Sequence, residues 1–487
     1  MHTGYARLSA RAQSEAAEHL RLLHRLAGIA GFGCAALFIG VGLYYRFQLF
    51  GDASLFSYAV AVQDSWAFHW HNISNRSTVY LYAHVPAEFY ARLTGDAWGA
   101  IKVYGFLFYG AQLLSLLLTY ALDRTAQRII FVFACVSTTA VIPLIFGSPT
   151  EMWFAHACFW PALAAAHCSR PRWSGIAAFV AFLPLAFTHE GALIFIATIL
   201  TTVLLRKHEW PRFWQCLAAT AVVLCIWFFV RSNLPPDNYT GKVLSAAASN
   251  VFNPEILLER MLILLAATVA GFLLLLFVLR RARLAYALDL SFGIALAALA
   301  AYWLFGSHEL HADDRYLLRT VIIAATPALA ILAIGSAFAG QLHRASEIVC
   351  SFPRSVFLAF GARAFAAALL LVLVVHGAET ARFAAAWRDH LSMFTRMVTE
   401  QSRNARFVEL DPENPEYEEL PWFSTLPYLS VLVAPDFKPA RLAIDPRSDY
   451  FWTSCATATQ SVRKASAHGI PAQSREMIRR YTCEHRR

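Results

Sequence analysis

The stretch GSHELHADDRYLLRT (Gly306–Thr320) packs His308, Glu309, His311, Asp313, Asp314, Arg315 and Arg319 into one connector between two strongly apolar runs. Arg315 and Arg319 are four apart, so at a helical start they share a face. Two guanidiniums on one face at headgroup level match a lipid phosphate or pyrophosphate, which arginine grips in bidentate fashion. Beside them, His308, His311, Asp313 and Asp314 carry the donor atoms to hold a divalent cation such as Mg or Mn, or to position an acceptor. A merely solvated loop predicts Ser, Gly, Asn and Lys with charges spread apart. Here Asp313-Asp314-Arg315-Tyr316 runs straight into the next apolar segment.

Three further places carry ionisable groups beside apolar runs. Asp52 in FGDASLF is either the N-cap of a following helix or a carboxylate at the membrane surface, able to act as general base on an acceptor hydroxyl. Glu151 in GSPTEMWFAH completes a capping box with Ser148, Pro149 falling in the first turn, and such a cap can also present its carboxylate to a cavity. His189 and Glu190 in LAFTHEGALIF sit in a connection too short for a free loop. Two ionisable groups at the hydrocarbon edge need a partner or a polar cavity. His69 and His71, two apart in an aromatic segment, make a poor metal pair on their own. GIAGFG (28–33) has the wrong glycine spacing for a nucleotide loop, and both THEGALI and HELH lack the second histidine position of a zinc protease. Asn72, Asn75 and Asn238 head short glycosylation sequons.

The elements that must position these groups are membrane helices. The 487 residues are 58% hydrophobic and only 15% charged, against about a quarter charged in a soluble domain. Apolar runs of bilayer-crossing length predict an all-α polytopic membrane protein of about 11 transmembrane helices, over 26–49, 101–122, 129–147, 152–168, 175–188, 191–206, 213–230, 261–279, 285–305, 320–339 and 356–376. The first run is too long for a cleaved signal peptide and reads as a signal anchor. The net charge of +9 falls mostly in short connectors, where it sets topology instead of marking a nucleic-acid partner.

With the N-terminus in the cytoplasm, Arg124/Arg128, Arg170/Arg172, Arg206/Lys207/Arg212, Arg280/Arg281/Arg283 and Arg344/Arg354 all fall inside. Asp52, Glu151, His189, Glu190 and the opening stretch then fall outside. Residues 50–100 form a long first outer loop whose tryptophans and tyrosines predict interfacial helices. A transmembrane domain over 1–380 is followed by a polar, spanless tail over 381–487, outside by parity. Only Cys455 and Cys483 of the nine cysteines lie in that tail, and an oxidising compartment predicts their disulfide.

This pattern resembles the GT-C superfamily of polytopic membrane glycosyltransferases. The matching pieces are Asp52 just after the first span, the loop 50–100, Asp314-Arg315-Tyr316 in a late outer loop, and a soluble tail. The resemblance implies inverting transfer of a sugar from a polyprenyl-phosphate donor to a glycan, lipid or protein acceptor at the outer face of a bacterial inner membrane. It implies Asp52 as base and Arg315 as the donor-phosphate clamp, assisted by Tyr316 and Arg319. Glu151, His189 and Glu190 would line the same cavity. The chain departs from the pattern in that Asp52 stands alone until Asp64, where many relatives carry two adjacent acids. An O-antigen-ligase-like transferase and a secondary transporter with an outward acidic and histidine site are the competing readings.

Overall fold

A computed structural model describes residues 2–72, 76–141, 151–233, 260–282, 287–306, 319–343, 362–400, 406–410, 425–445, 454–463 and 469–485. The described chain is mostly helical, and helices occupy all eleven stretches expected to span. They are α1 (His2–Tyr44), α6 (Ala97–Leu122), α7 (Ile129–Ala140), α8 (Glu151–Cys168), α9 (Ser174–Ala186), α10 (Ala192–Leu204), α11 (Trp210–Ser232), α12 (Arg260–Arg281), α13 (Ala287–Gly306), α14 (Arg319–Ala337) and α15 (Ala362–Thr399). Four of these, α1, α6, α11 and α15, contain stretches long and apolar enough to cross a membrane among the described residues. The loop 50–100 folds into α2 (Asp52–Ala61), α3 (Ser65–Asn72), α4 (Ser77–Val79), a π-turn (Tyr80–His84) and α5 (Val85–Thr94).

Small residues let the first helices approach closely. A Cβ on Gly31 would lie 2.8 Å from that of Cys135, so the GIAGFG run is where α1 meets α7. Inside the bundle a polar network joins α6, α7 and α8. The indole of Trp160 donates to His156 Nε2 at 3.3 Å, so Nε2 is an acceptor and the ring proton sits on Nδ1. From there it donates to Gln112 Oε1 at 3.0 Å, and Gln112 Nε2 donates to the Trp153 carbonyl at 2.8 Å. The imidazole is thus neutral and its partners are matched, which is how a polar group survives at this depth.

The acids and the arginines separate along α8. Glu151 opens the helix, and at its other end Arg212 donates to the carbonyls of Ala166 and Ser169, while Arg206 pairs with Glu209 at 2.8 Å. Such an arginine closes the C-terminal end of α8 and complements its dipole.

The helix α15 does not stop at residue 380. It continues to Thr399 because Phe383, Ala384, Trp387, Phe394 and Val398 form a buried stripe at helical spacing, so the boundary expected at 380 falls inside a helix. Beyond it, β1 (Phe407–Glu409) pairs in parallel with β2 (Leu442–Ile444). Around them lie α16 (Leu426–Val433), α17 (Cys455–Arg463) and α18 (Ala472–Arg480). Cys455 and Cys483 are disulfide-bonded, tying α17 to the turn after α18. This tail rests on the first loop: Tyr428 packs against Tyr58 at 5.2 Å, and Phe437 stacks on Trp98.

Candidate functional site

The chain leaves α1 through left-handed Arg46 and a buried turn, Phe47–Leu49. Phe47 and Phe50 pack on Phe383, and Phe50 also meets Trp387, so α15 fixes this turn. Gly51 then adopts φ 58° and ψ −136°, a region essentially closed to side-chain-bearing residues. That turn delivers Asp52 as the first residue of α2. The N-cap position belongs to Gly51, so the expectation of Asp52 as N-cap gives way to Asp52 inside the first turn, where the helix dipole favours its negative charge.

Glu151 likewise begins α8, but its carboxylate turns to a partner from the first loop. Arg76, with only 2% of its surface exposed, places Nη1 at 2.7 Å from Glu151 Oε2 and Nη2 at 3.0 Å from Glu190 Oε2. One guanidinium fork thereby joins the loop, the start of α8 and the α9–α10 connector. Ser148, the other half of the expected capping box, lies outside the described residues.

His189 stands beside this pair, its Nδ1 at 3.7 Å from Glu190 Oε2. The Gly191 amide donates to that Nδ1 at 2.9 Å, which makes it an acceptor and puts the proton of the neutral ring on Nε2. Burial alone pushes the Glu190 carboxyl up. Arg76, with a smaller contribution from His189 once protonated, outweighs burial and holds it down at about 2.

Tyr104 is buried on α6. Its ring meets the fully buried His84 edge-on at 5.0 Å. Among the described residues, Tyr104 Oη, Glu151 Oε1 and Glu190 Oε1 are buried with no hydrogen-bond partner. Two acceptors and a hydroxyl left open in this way suit a ligand that brings hydroxyl groups.

Two apolar hollows adjoin the site. One, of about 550 Å³, is lined by Thr78, Tyr82, Phe154, Cys158, Pro161 and Val180 among others. The second, of about 740 Å³, is lined by Trp66, Leu81, Phe187 and Phe229, and shares Thr78, Tyr82 and Pro184 with the first. Thr78 lies two residues after Arg76, and its amide donates to the Phe187 carbonyl at 3.1 Å. The hollows therefore run up to the segment that carries the guanidinium.

Of the residues picked out in the sequence, the structure brings Glu151, His189 and Glu190 together around Arg76, and sets Asp52 at the start of α2. His308, Glu309, His311, Asp313, Asp314, Arg315 and Tyr316 lie outside the described residues. Arg319 is the first residue of α14. His69 and His71 fall on α3. Among the described residues, no group of three His, Cys, Asp or Glu side chains is placed to hold a metal ion. Arg76 and Tyr104 escaped the sequence reading. Arg76 shares the first outer loop with Arg92, and only the fold, by setting it against Glu151 and Glu190, singles it out. Comparison with family models, curated proteins and solved structures finds no match to this chain.

Proposed function

We propose that the chain is a membrane glycosyltransferase that moves a sugar from a polyprenyl-phosphate donor to a glycan, lipid or protein acceptor on the outer face of the membrane. In this reading the eleven apolar helices span, the N-terminus is cytoplasmic, and the disulfide-bonded tail faces an oxidising compartment such as the periplasm. The observation that carries the reading is the buried meeting of Glu151 and Glu190 around Arg76, with hollows apolar enough for a lipid chain running up to the same segment.

Asp52 acts as general base on the acceptor hydroxyl, and inversion follows from attack opposite the departing phosphate. The open oxygens of Glu151 and Glu190 accept hydroxyls of the sugar. Arg315, with Tyr316 and Arg319, stabilises the leaving phosphate, and the histidines and acids of HELHADD would hold a divalent cation if the reaction uses one. The test is transfer of label from a polyprenyl-phosphate sugar in membranes. Asp52→Asn and Arg315→Ala should each lower turnover by about 100-fold or more. Wild-type turnover in both variants removes the mechanism.

The ion-paired Arg76 cluster with His189 favours a second reading, a secondary transporter that relays protons through these groups. Substrate uptake into proteoliposomes without glycosyl transfer would select it.

A further inference from the structure

Thr425 of the tail reaches the Asp52 turn. Thr425, buried immediately before α16, occupies that helix's N-cap position, yet its hydroxyl makes no cap hydrogen bond there. It instead donates to the Gly51 carbonyl at 3.2 Å. Ser54 Oγ, one turn into α2, donates to the same carbonyl at 2.8 Å and lies 3.4 Å from the Thr425 carbonyl. The Gly51 carbonyl thus accepts from the Ser54 amide at 3.0 Å and from two hydroxyls, one from the loop and one from the tail.

The latch has a rigid backing. The Ala443 amide of β2 donates to Ser430 Oγ at 2.9 Å, fastening α16 to the strand pair. Tyr428 wedges between Tyr58 of α2 and Phe68 of α3. Gly469 of the tail sits so close to Ala97 that a Cβ there would clash at 2.3 Å. A threonine that leaves its own helix uncapped to bind a distant, left-handed glycine turn does something its own element does not need.

We infer that Thr425 is a positioning residue for Asp52, so that the C-terminal domain fixes the aim of the carboxylate and takes no direct part in the chemistry. The inference rests on the proposed role of Asp52 as base. A carboxylate whose supporting turn swings by a fraction of an ångström loses rate while the substrate still binds.

Two measurements on the full-length protein test it. In the first, Thr425→Val should lower kcat by about tenfold or more with KM unchanged, and Thr425→Ser should restore kcat to within about twofold. Ser54→Ala, which removes the other hydroxyl of the bridge without touching the tail, should show the same split and serves if Thr425→Val does not fold. The second does not depend on activity. In a D52C chain, labelling by a charged, membrane-impermeant maleimide should accelerate by roughly threefold or more when Thr425→Val is added, because the turn opens more often. Unchanged labelling overturns the inference. So does an unchanged kcat, or a rise in KM alone, in both Thr425→Val and Ser54→Ala when Asp52→Asn is inactive. Wild-type turnover in Asp52→Asn instead removes the base, and the labelling comparison then decides by itself whether Thr425 holds the turn.

Discussion

Arg76 and Glu190 lie 114 positions apart in the chain and meet at 3.0 Å, in a buried pair that Glu151 completes from the other side of the same guanidinium. The contact staples the first loop to the ends of two helices, and the first prediction follows from its burial. Removing one member of a buried ionic group leaves the others uncompensated, at a cost of about 3–5 kcal/mol. Arg76→Ala should therefore lower the unfolding midpoint in detergent sharply. The R76M/E151Q/E190Q triple variant, which leaves no charge stranded, should recover most of that loss. A triple variant as unstable as Arg76→Ala would mean that the charges are not what holds the three segments together.

The same cluster sets a dependence on pH. Glu190 is held at about 2, below the ordinary carboxylate value of 4.5. Its contribution is therefore complete above about pH 4.5 and is lost as the pH falls toward 2, where the carboxylate takes up a proton. The shift corresponds to about 3 kcal/mol. Unfolding midpoints between pH 6 and pH 2 should fall in the native chain, with a visibly shallower fall in Glu190→Gln. Equal slopes in the two proteins would show that another group governs the acid limb.

The apolar hollows make a third prediction. Val180 lines the 550 Å³ hollow and is largely exposed, so a larger side chain fits there without disturbing the core. Val180→Trp should raise KM for a long-chain polyprenyl donor by about tenfold while leaving a short-chain, water-soluble donor unaffected. A comparable change for both donors would place the lipid chain elsewhere.

The helices were legible because long apolar runs leave the chain little alternative to helix, and helices stand where the runs predict them. Glu151, His189 and Glu190 were legible for a related reason: charge beside such runs is costly without a partner. The identity of the partner was not legible. Arg76 sits in a polar stretch, NISNRSTVY, where nothing local distinguishes it from a solvated arginine, and only the fold brings it to acids 75 and 114 positions away. Tyr104 was hidden for the opposite reason, since in an apolar helix its ring reads as core and its hydroxyl gives no sign of what it faces. The continuation of α15 past residue 380 was masked by its charged outer face, which lowers the average hydropathy while the buried stripe persists at helical spacing.

That continuation has a mechanical consequence. A helix of 38 residues is about 57 Å long, while the hydrocarbon it would cross is about 30 Å thick. The projecting half carries Phe383 and Trp387 against the turn that ends in Asp52, and the tail domain follows from its end. As a stiff rod pivoted among the other helices, a tilt of about 5° displaces its outer end by about 2–3 Å. In the proposed membrane orientation, a tilt imposed on the lower arm by the lipid is carried through Phe383 and Trp387 to the turn that ends in Asp52.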